Sequence, residues 1–98
     1  MAVDGTWNLT METPMGERTS TFVAKAEGAT LTGQQSAEGN ATAIYDGTIS
    51  GNDVAWKIDI SQPMPMTLEF AGAVNGDKMT GSVKLGMFGT SSFTASRA

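Results

Sequence analysis

The sequence predicts an all-β fold, an eight-stranded antiparallel up-and-down barrel built from two four-strand repeats. Apolar and polar residues alternate over short segments, as in strands with one buried face. Turn residues (Gly, Asn and Asp) recur about every ten positions, a spacing typical of short antiparallel strands. The second half of the chain repeats the first. At 98 residues, the chain is long enough for one hydrophobic core, and we expect a single β-barrel domain over 1–98.

Three predicted strands open the chain. Trp7, Leu9 and Met11 share one face of the first, which ends before a turn at 14–17. The second covers 18–26, and the third follows the tight turn at 27–29. The predicted inward positions of the second and third strands are Phe22, Ala24, Ala26, Leu31, Gly33 and Gln35.

The fourth predicted strand, 41–50, is irregular. Ile44 and Ile49 are out of phase with one another, and Gly47 lies between them. A single extra residue in a strand has this effect, so the pattern predicts a β-bulge.

The second half contains four more predicted strands. Its clearest alternation is at 54–60, and 75–77 (Asn-Gly-Asp) is a strong hairpin turn. Inward glycines (Gly33, Gly72 and Gly81) either open space for a ligand or relieve crowding between strands, and we favour the second interpretation. The predicted inward residues of these four strands are Val54, Trp56, Ile58 and Ile60; Met66, Leu68, Phe70, Gly72 and Val74; Met79, Gly81, Val83 and Leu85; and Phe93, Ala95 and Arg97.

The repeats cover about 1–49 and 50–98, with an offset of 49 residues that becomes 48 after the first loop. The alignment superposes Trp7 on Trp56, Phe22 on Phe70, Gly28 on Gly76, and Tyr45 on Phe93. Chance reuse of turn glycines is the alternative explanation. Two four-strand units that cannot each bury an apolar face alone can close on one another as a barrel.

The amino-acid composition argues against several classes of function. The net charge is −4 and the six basic residues are scattered, so we expect neither nucleic-acid binding nor membrane insertion. The chain has no cysteine and no histidine, which removes thiol nucleophiles and the commonest metal ligands. We therefore expect no cofactor and no metal. The first residues lack a signal-peptide pattern, so we expect a cytoplasmic protein, although a removed signal peptide would leave the same beginning.

The segment 5–7 (Gly-Thr-Trp), together with Arg97, resembles the calycin barrels, which include the lipocalins and the avidins. The resemblance implies that Trp7 and Arg97 form a cation–π contact that closes one end of the barrel. The opening hairpins are similar to those of streptavidin-like proteins, but the biotin-binding pattern does not carry over. A longer pattern resembles a bacterial family of small uncharacterised proteins, and this resemblance implies a fold and no established activity. The pattern consists of Gly-Thr-Trp at 5–7, Pro-Met-Gly at 14–16, Pro-Met-Thr-Leu-Glu-Phe at 65–70, Gly-Met-Phe-Gly at 86–89, Phe-Thr at 93–94, and Arg97.

Five methionines are predicted to gather at one end of the barrel. Met15, Met64 and Met87, with Phe88, fall in loops at the end opposite the tight turns, and Met11 and Met66 fall in the strands just below. These thioethers either seal the core or form an adaptable rim that binds a small hydrophobic ligand, which is our working hypothesis. Met64 and Met66 also form a Met-x-Met pair that suits Cu(I), a less favoured interpretation.

Two other functions stay open: a protein-interaction or homodimerisation module that uses the same rim, and a small barrel enzyme. Tyr45 and Gln35 are candidate polar contacts inside the barrel. The carboxylates of Asp59 and Glu69 fall on the outward phase of their strands, so we assign no catalytic residue. Trp7 and Trp56 are expected to be buried towards the closed end and to be structural.

Overall fold

The structure of the protein is a computed structural model, and it describes residues 3–13, 16–37, 39–60, 65–86 and 89–98. The described residues form nine β-strands and contain no α-helix. The strands are β1 (Gly5–Thr13), β2 (Gly16–Glu27), β3 (Thr30–Ala37), β4 (Asn40–Ala43), β5 (Tyr45–Ser50), β6 (Asp53–Ile60), β7 (Met66–Asn75), β8 (Lys78–Leu85) and β9 (Thr90–Arg97).

The strands form one closed antiparallel sheet. Its order is β2-β1-β9-β8-β7-β6-β5-β3-β4, and pairing between β2 and β3 closes the ring. Closure satisfies the backbone hydrogen-bonding groups that an open sheet leaves at its two edges. The predicted eight-stranded up-and-down barrel is confirmed, with one additional strand.

The additional strand arises because the predicted fourth strand is divided at Ile44 into β4 and β5. The predicted bulge is confirmed: Tyr45 pairs with Lys57 and Thr48 pairs with Ala55, so Asp46 and Gly47 lie together opposite one residue of β6. Asp46 has a φ of 51°, in the left-handed region that Asp tolerates better than most residues. The bulge changes which side chains of the fourth strand face inward.

The core is organised around Trp56, in the middle of β6. Its ring stacks between Phe22 and Phe70, with centroid separations of 4.4 and 4.8 Å, and Phe93 meets it edge-on at 5.8 Å. Aromatic rings favour both geometries. The other buried apolar side chains are Val3, Trp7, Leu9, Ala24, Leu31, Val54, Ile58, Leu68, Val74, Met79, Val83, Leu85 and Ala95.

The inward glycines allow strands to approach closely rather than opening space. Gly81 pairs with Gly72, and a Cβ at Gly81 would lie 2.1 Å from the backbone oxygen of Ala71. A Cβ at Gly33 would lie 1.9 Å from the backbone oxygen of Val23. The interpretation that these glycines relieve crowding is therefore supported.

The two ends of the barrel differ. The turns at 28–29, 51–52 and 76–77 lie with the first and last described residues, Val3 and Ala98, at one end of the barrel, which we call the base. Thr13, Ala37, Ile60 and Leu85 end their strands at the opposite end, which we call the mouth. Trp7 is the cross-strand partner of Phe22, and Trp56 is the cross-strand partner of Phe70. The alignment of the two halves superposes the first of these pairs on the second.

Candidate functional site at the barrel mouth

The apolar wall of the mouth is formed by Met11, Ile60 and Met66. Each lies near the mouth end of its strand, in the phase that faces inward, and each is half-buried and packed against the core. Residues deeper in the same phase, such as Leu9 and Ile58, are buried. The three side chains therefore form the upper surface of the core.

The remaining predicted rim residues, Met15, Met64, Met87 and Phe88, lie outside the described residues. Their gathering at the mouth stays a prediction. The described residues that flank them, Gly16, Pro65, Gly86 and Gly89, lie at the mouth end of their strands or next to it.

Gln35 faces inward and is only 8% exposed, but its side chain is already engaged. Its Oε1 accepts a 2.9 Å hydrogen bond from Trp56 Nε1, and its Nε2 donates to Ser20 Oγ at 3.4 Å. A buried indole N–H requires an acceptor. Both polar atoms of the Gln35 side chain are therefore hydrogen-bonded to other side chains of the barrel, Trp56 and Ser20.

Arg18 and Ser20 complete the polar side of the mouth. They share the inward phase of β2 with Phe22 and Ala24, and Arg18 is the cross-strand partner of Met11. Ser20 is half-buried and Arg18 is exposed. The mouth therefore combines polar side chains on β2 and β3 with the apolar wall formed by residues of β1, β6 and β7.

The space at the mouth is shallow, because the stacked aromatic rings fill the middle of the barrel. Phe22, Trp56 and Phe70 lie at stacking distances, which leave no layer between their rings. A ligand at the mouth would rest above these rings, against Met11 and Met66.

Tyr45 does not face the interior, in contrast to the expectation from the sequence. Its side chain is 40% exposed on the outer face, because the bulge that follows it breaks the alternation. Tyr45 Oη donates a 2.7 Å hydrogen bond to Asp59 Oδ1, which also accepts one from Thr67 Oγ1 at 2.8 Å. The sequence indicated the bulge, but not that Tyr45 faces outward and contacts Asp59, because that depends on the register with β6.

These hydrogen bonds shift the pKa values of Asp59 and Tyr45. The bond from Tyr45, and secondly that from Thr67, lowers the pKa of Asp59 below its ordinary value. The same bond to Asp59 raises the pKa of Tyr45, because it stabilises the protonated phenol. Asp59 is thus held as an anion that accepts hydrogen bonds, the opposite of what a general acid requires.

The base is closed by Trp7 and Arg97. The Arg97 guanidinium lies 4.5 Å from the centroid of the Trp7 ring, and its Nη1 donates to the backbone oxygen of Asp4 at 2.6 Å. Trp7 Nε1 donates to the backbone oxygen of Val3 at 2.9 Å. Arg97 Nε also forms an ion pair with Asp77 Oδ1, at 3.2 Å. This end has the character of a structural plug.

A shallow depression of about 470 Å³ lies on the outer face across β5 to β8. Small side chains line it, including Thr48, Ala55 and Ala73. Asp53 is its only charged lining residue in the described part of the chain, so it offers little for specific recognition.

Within the described ranges, no three Asp or Glu residues lie together in a group that could hold a metal ion. No helix in the same part of the chain is long and apolar enough to span a membrane. No protein-family model, no curated protein and no solved structure matches the chain.

Proposed function

We propose that this protein is a non-catalytic binding module that receives a small apolar ligand at the mouth of its barrel. The observation that carries the proposal is the half-buried apolar wall of Met11, Ile60 and Met66 above a filled core. Methionine side chains adapt to ligands of different shape, because they are unbranched and polarisable.

The polar groups of the described mouth favour binding over catalysis. Ser20, Gln35 and Arg18 face this region, and the hydrogen bond of Ser20 is with the amide of Gln35, which cannot act as a base. Asp59 and Glu69 are exposed on the outer face of β6 and β7, so their carboxylates lie outside the barrel interior. Among the described residues, this arrangement can orient a polar group of a ligand and contains no acid–base pair.

We further infer that the chain is related to the calycin barrels and to the bacterial family that the sequence resembles. The contact between Trp7 and Arg97 at the base supports this relationship. In such barrels one end is plugged and the other is available, so the relationship also favours the mouth as the binding end.

The proposal is tested with an apolar fluorescent dye, 1-anilinonaphthalene-8-sulfonate, titrated into the folded protein. We expect saturable binding that weakens by about 3- to 10-fold in Met11→Gln and in Met66→Gln, because each substitution removes part of a half-buried apolar contact. Val23→Gln is the matched control, since Val23 is apolar, 40% exposed and on the outer face. Equal affinities in all four proteins would refute the site.

A shallow apolar surface above a filled core also suits a protein partner or a second copy of the chain. Sedimentation velocity of the same four proteins separates this second candidate from the first. A dimer that dissociates in Met11→Gln and Met66→Gln, but not in Val23→Gln, would favour homodimerisation through the mouth. A monomer at all concentrations would favour the small ligand.

A further inference from the structure

The barrel wall lacks a backbone ladder at one place. In the described part of the chain, β4 pairs only with β3, whereas residues 58–60 of β6 pair only with β7. The ladder between β5 and β6 reaches no further towards the mouth than Tyr45 and Lys57. Cα atoms of β4 and β6 nevertheless approach within 8 Å. We call the gap between 40–43 and 58–60 the seam.

The seam follows from the local structure of the fourth strand. The backbone N–H of Ile44 donates to the backbone oxygen of Gly33 at 3.1 Å, which holds this part of the chain on β3. Directly after it, the bulge at Asp46 and Gly47 turns the chain towards β6. Residues 40–43, which precede this segment, therefore pair with β3 only in the described part of the chain.

Side chains connect the two sides at the root of the seam. Tyr45 Oη, on β5, reaches Asp59 Oδ1, on β6, at 2.7 Å. Lys57 Nζ lies 3.7 Å from Asp46 Oδ2, an exposed and weaker ion pair. Thr67 also bonds Asp59, but from β7, on the far side of β6 from the seam. Among the described residues, only the bond from Tyr45 ties Asp59 to β5.

We propose that β4 is a flap that swings about β3 and away from β6, and that the hydrogen bond from Tyr45 to Asp59 is its latch. In the described part of the chain, opening breaks the bond from Tyr45 to Asp59 and, of the β5–β6 ladder, only its last pair, Tyr45 with Lys57. It exposes Ile58 and Ile44 in the barrel wall. Ile58 is 3% exposed when the flap is closed. Regions that open locally are those with few backbone hydrogen bonds to break.

Single cysteines test the flap, because the chain has none of its own. Ile58→Cys places a buried thiol behind the seam, and Val83→Cys places an equally buried thiol in β8, away from it. The rate of reaction with 5,5′-dithiobis(2-nitrobenzoate) under native conditions reports the open fraction. We expect Ile58→Cys to react at least about 10-fold faster than Val83→Cys, which reacts only through global unfolding.

The latch is tested by adding Tyr45→Phe or Thr67→Val to each cysteine variant. Tyr45→Phe should accelerate labelling of Ile58→Cys by about 3- to 10-fold, as expected for the loss of one solvent-exposed hydrogen bond. Thr67→Val removes a bond to the same oxygen without crossing the seam, and it should change the rate less than about twofold. Neither substitution should selectively accelerate Val83→Cys.

Two results would overturn the proposal: equal labelling rates for Ile58→Cys and Val83→Cys, or equal effects of Tyr45→Phe and Thr67→Val. If Ile58→Cys fails to fold, Ile44→Cys replaces it, with Ile49→Cys as control. Both isoleucines are half-buried, and Ile49 belongs to the part of β5 that pairs with β6. Faster labelling at Ile44→Cys supports the flap, and equal labelling contradicts it.

Discussion

Trp56 Nε1 donates a 2.9 Å hydrogen bond to Gln35 Oε1 in the interior of the barrel. The bond joins two side chains that are 1% and 8% exposed. The bond joins the two halves of the chain, since Gln35 lies in the first and Trp56 in the second. Alignment of the halves places Gln35 on Val83 and Trp56 on Trp7, and valine cannot accept such a bond, so the contact has no equivalent at the position related by the repeat.

Gln35→Leu should destabilise the protein by about 1 to 3 kcal/mol, because it leaves the indole N–H of Trp56 buried without an acceptor. Unfolding in urea, followed by circular dichroism, measures the change. Ser20→Ala is the control: its bond to Gln35 is long, at 3.4 Å, and its loss should cost less than about 1 kcal/mol. A similar loss of stability in both variants would mean that the hydrogen bond to Trp56 does not account for the effect of Gln35→Leu.

Trp7→Ala and Trp56→Ala should each cost about 3 to 5 kcal/mol, since both side chains are almost fully buried. That is a large part of the stability of a small domain, about 5 to 15 kcal/mol. Thermal melts provide the measurement, with the exposed Val23→Ala as control. Melting within a few degrees of the parent would contradict the central packing role of these rings.

Arg97→Met should cost about 1 to 2 kcal/mol, because it removes both the cation over Trp7 and a charge-assisted bond to the backbone of Asp4. Asp77→Ala removes only an exposed ion-pair partner and should change the free energy of unfolding by less than about 0.5 kcal/mol. Equal losses in the two variants would assign the effect to the ion pair instead.

The ionised form of Asp59 should stabilise the protein in neutral but not in strongly acidic solution. Its folded pKa is lowered, chiefly by Tyr45, so the contribution is present above about pH 4 and is lost as the pH falls through the folded pKa. Asp59→Asn should therefore melt below the parent at pH 7, and the difference should shrink towards pH 2. A difference that is constant with pH would contradict this linkage.

Gly81→Ala should destabilise the protein by about 1 to 3 kcal/mol or more, because the new methyl group would lie 2.1 Å from a backbone oxygen of the neighbouring strand. Ser82→Ala, at the exposed neighbouring position, should be nearly neutral. If Gly81→Ala were also neutral, the close approach of β7 and β8 would not require glycine.

Much of the fold could be predicted because alternation reports directly on the two faces of a strand. Trp7, Phe22, Phe70 and Val83 were predicted to face inward, and all are buried. Even the bulge was visible, since Ile44 and Ile49 are out of phase across Gly47.

Tyr45 shows where sequence reasoning failed. Tyr45 was expected to be a polar contact inside the barrel, whereas its side chain is 40% exposed and its counterpart in the alignment, Phe93, is buried. The bulge was located correctly, but its effect on the neighbouring side chain depends on the φ of Asp46 and on the register with β6. Both are tertiary properties. The seam was missed for the same reason, because pairing across it depends on where β4 and β6 diverge.

The first and last strands of the barrel are neighbours, with Trp7 opposite Arg97 and Leu9 opposite Ala95. Arg97 and Asp4, which share a hydrogen bond at the base, are 93 positions apart in the chain. Contacts of such long sequence separation form slowly, because nearly the whole chain must be ordered before they stabilise anything. We therefore expect the hairpins to form first and the junction of β1 with β9 to limit the folding rate. Until that junction forms, both outer strands present unpaired edges through which two incomplete molecules can associate.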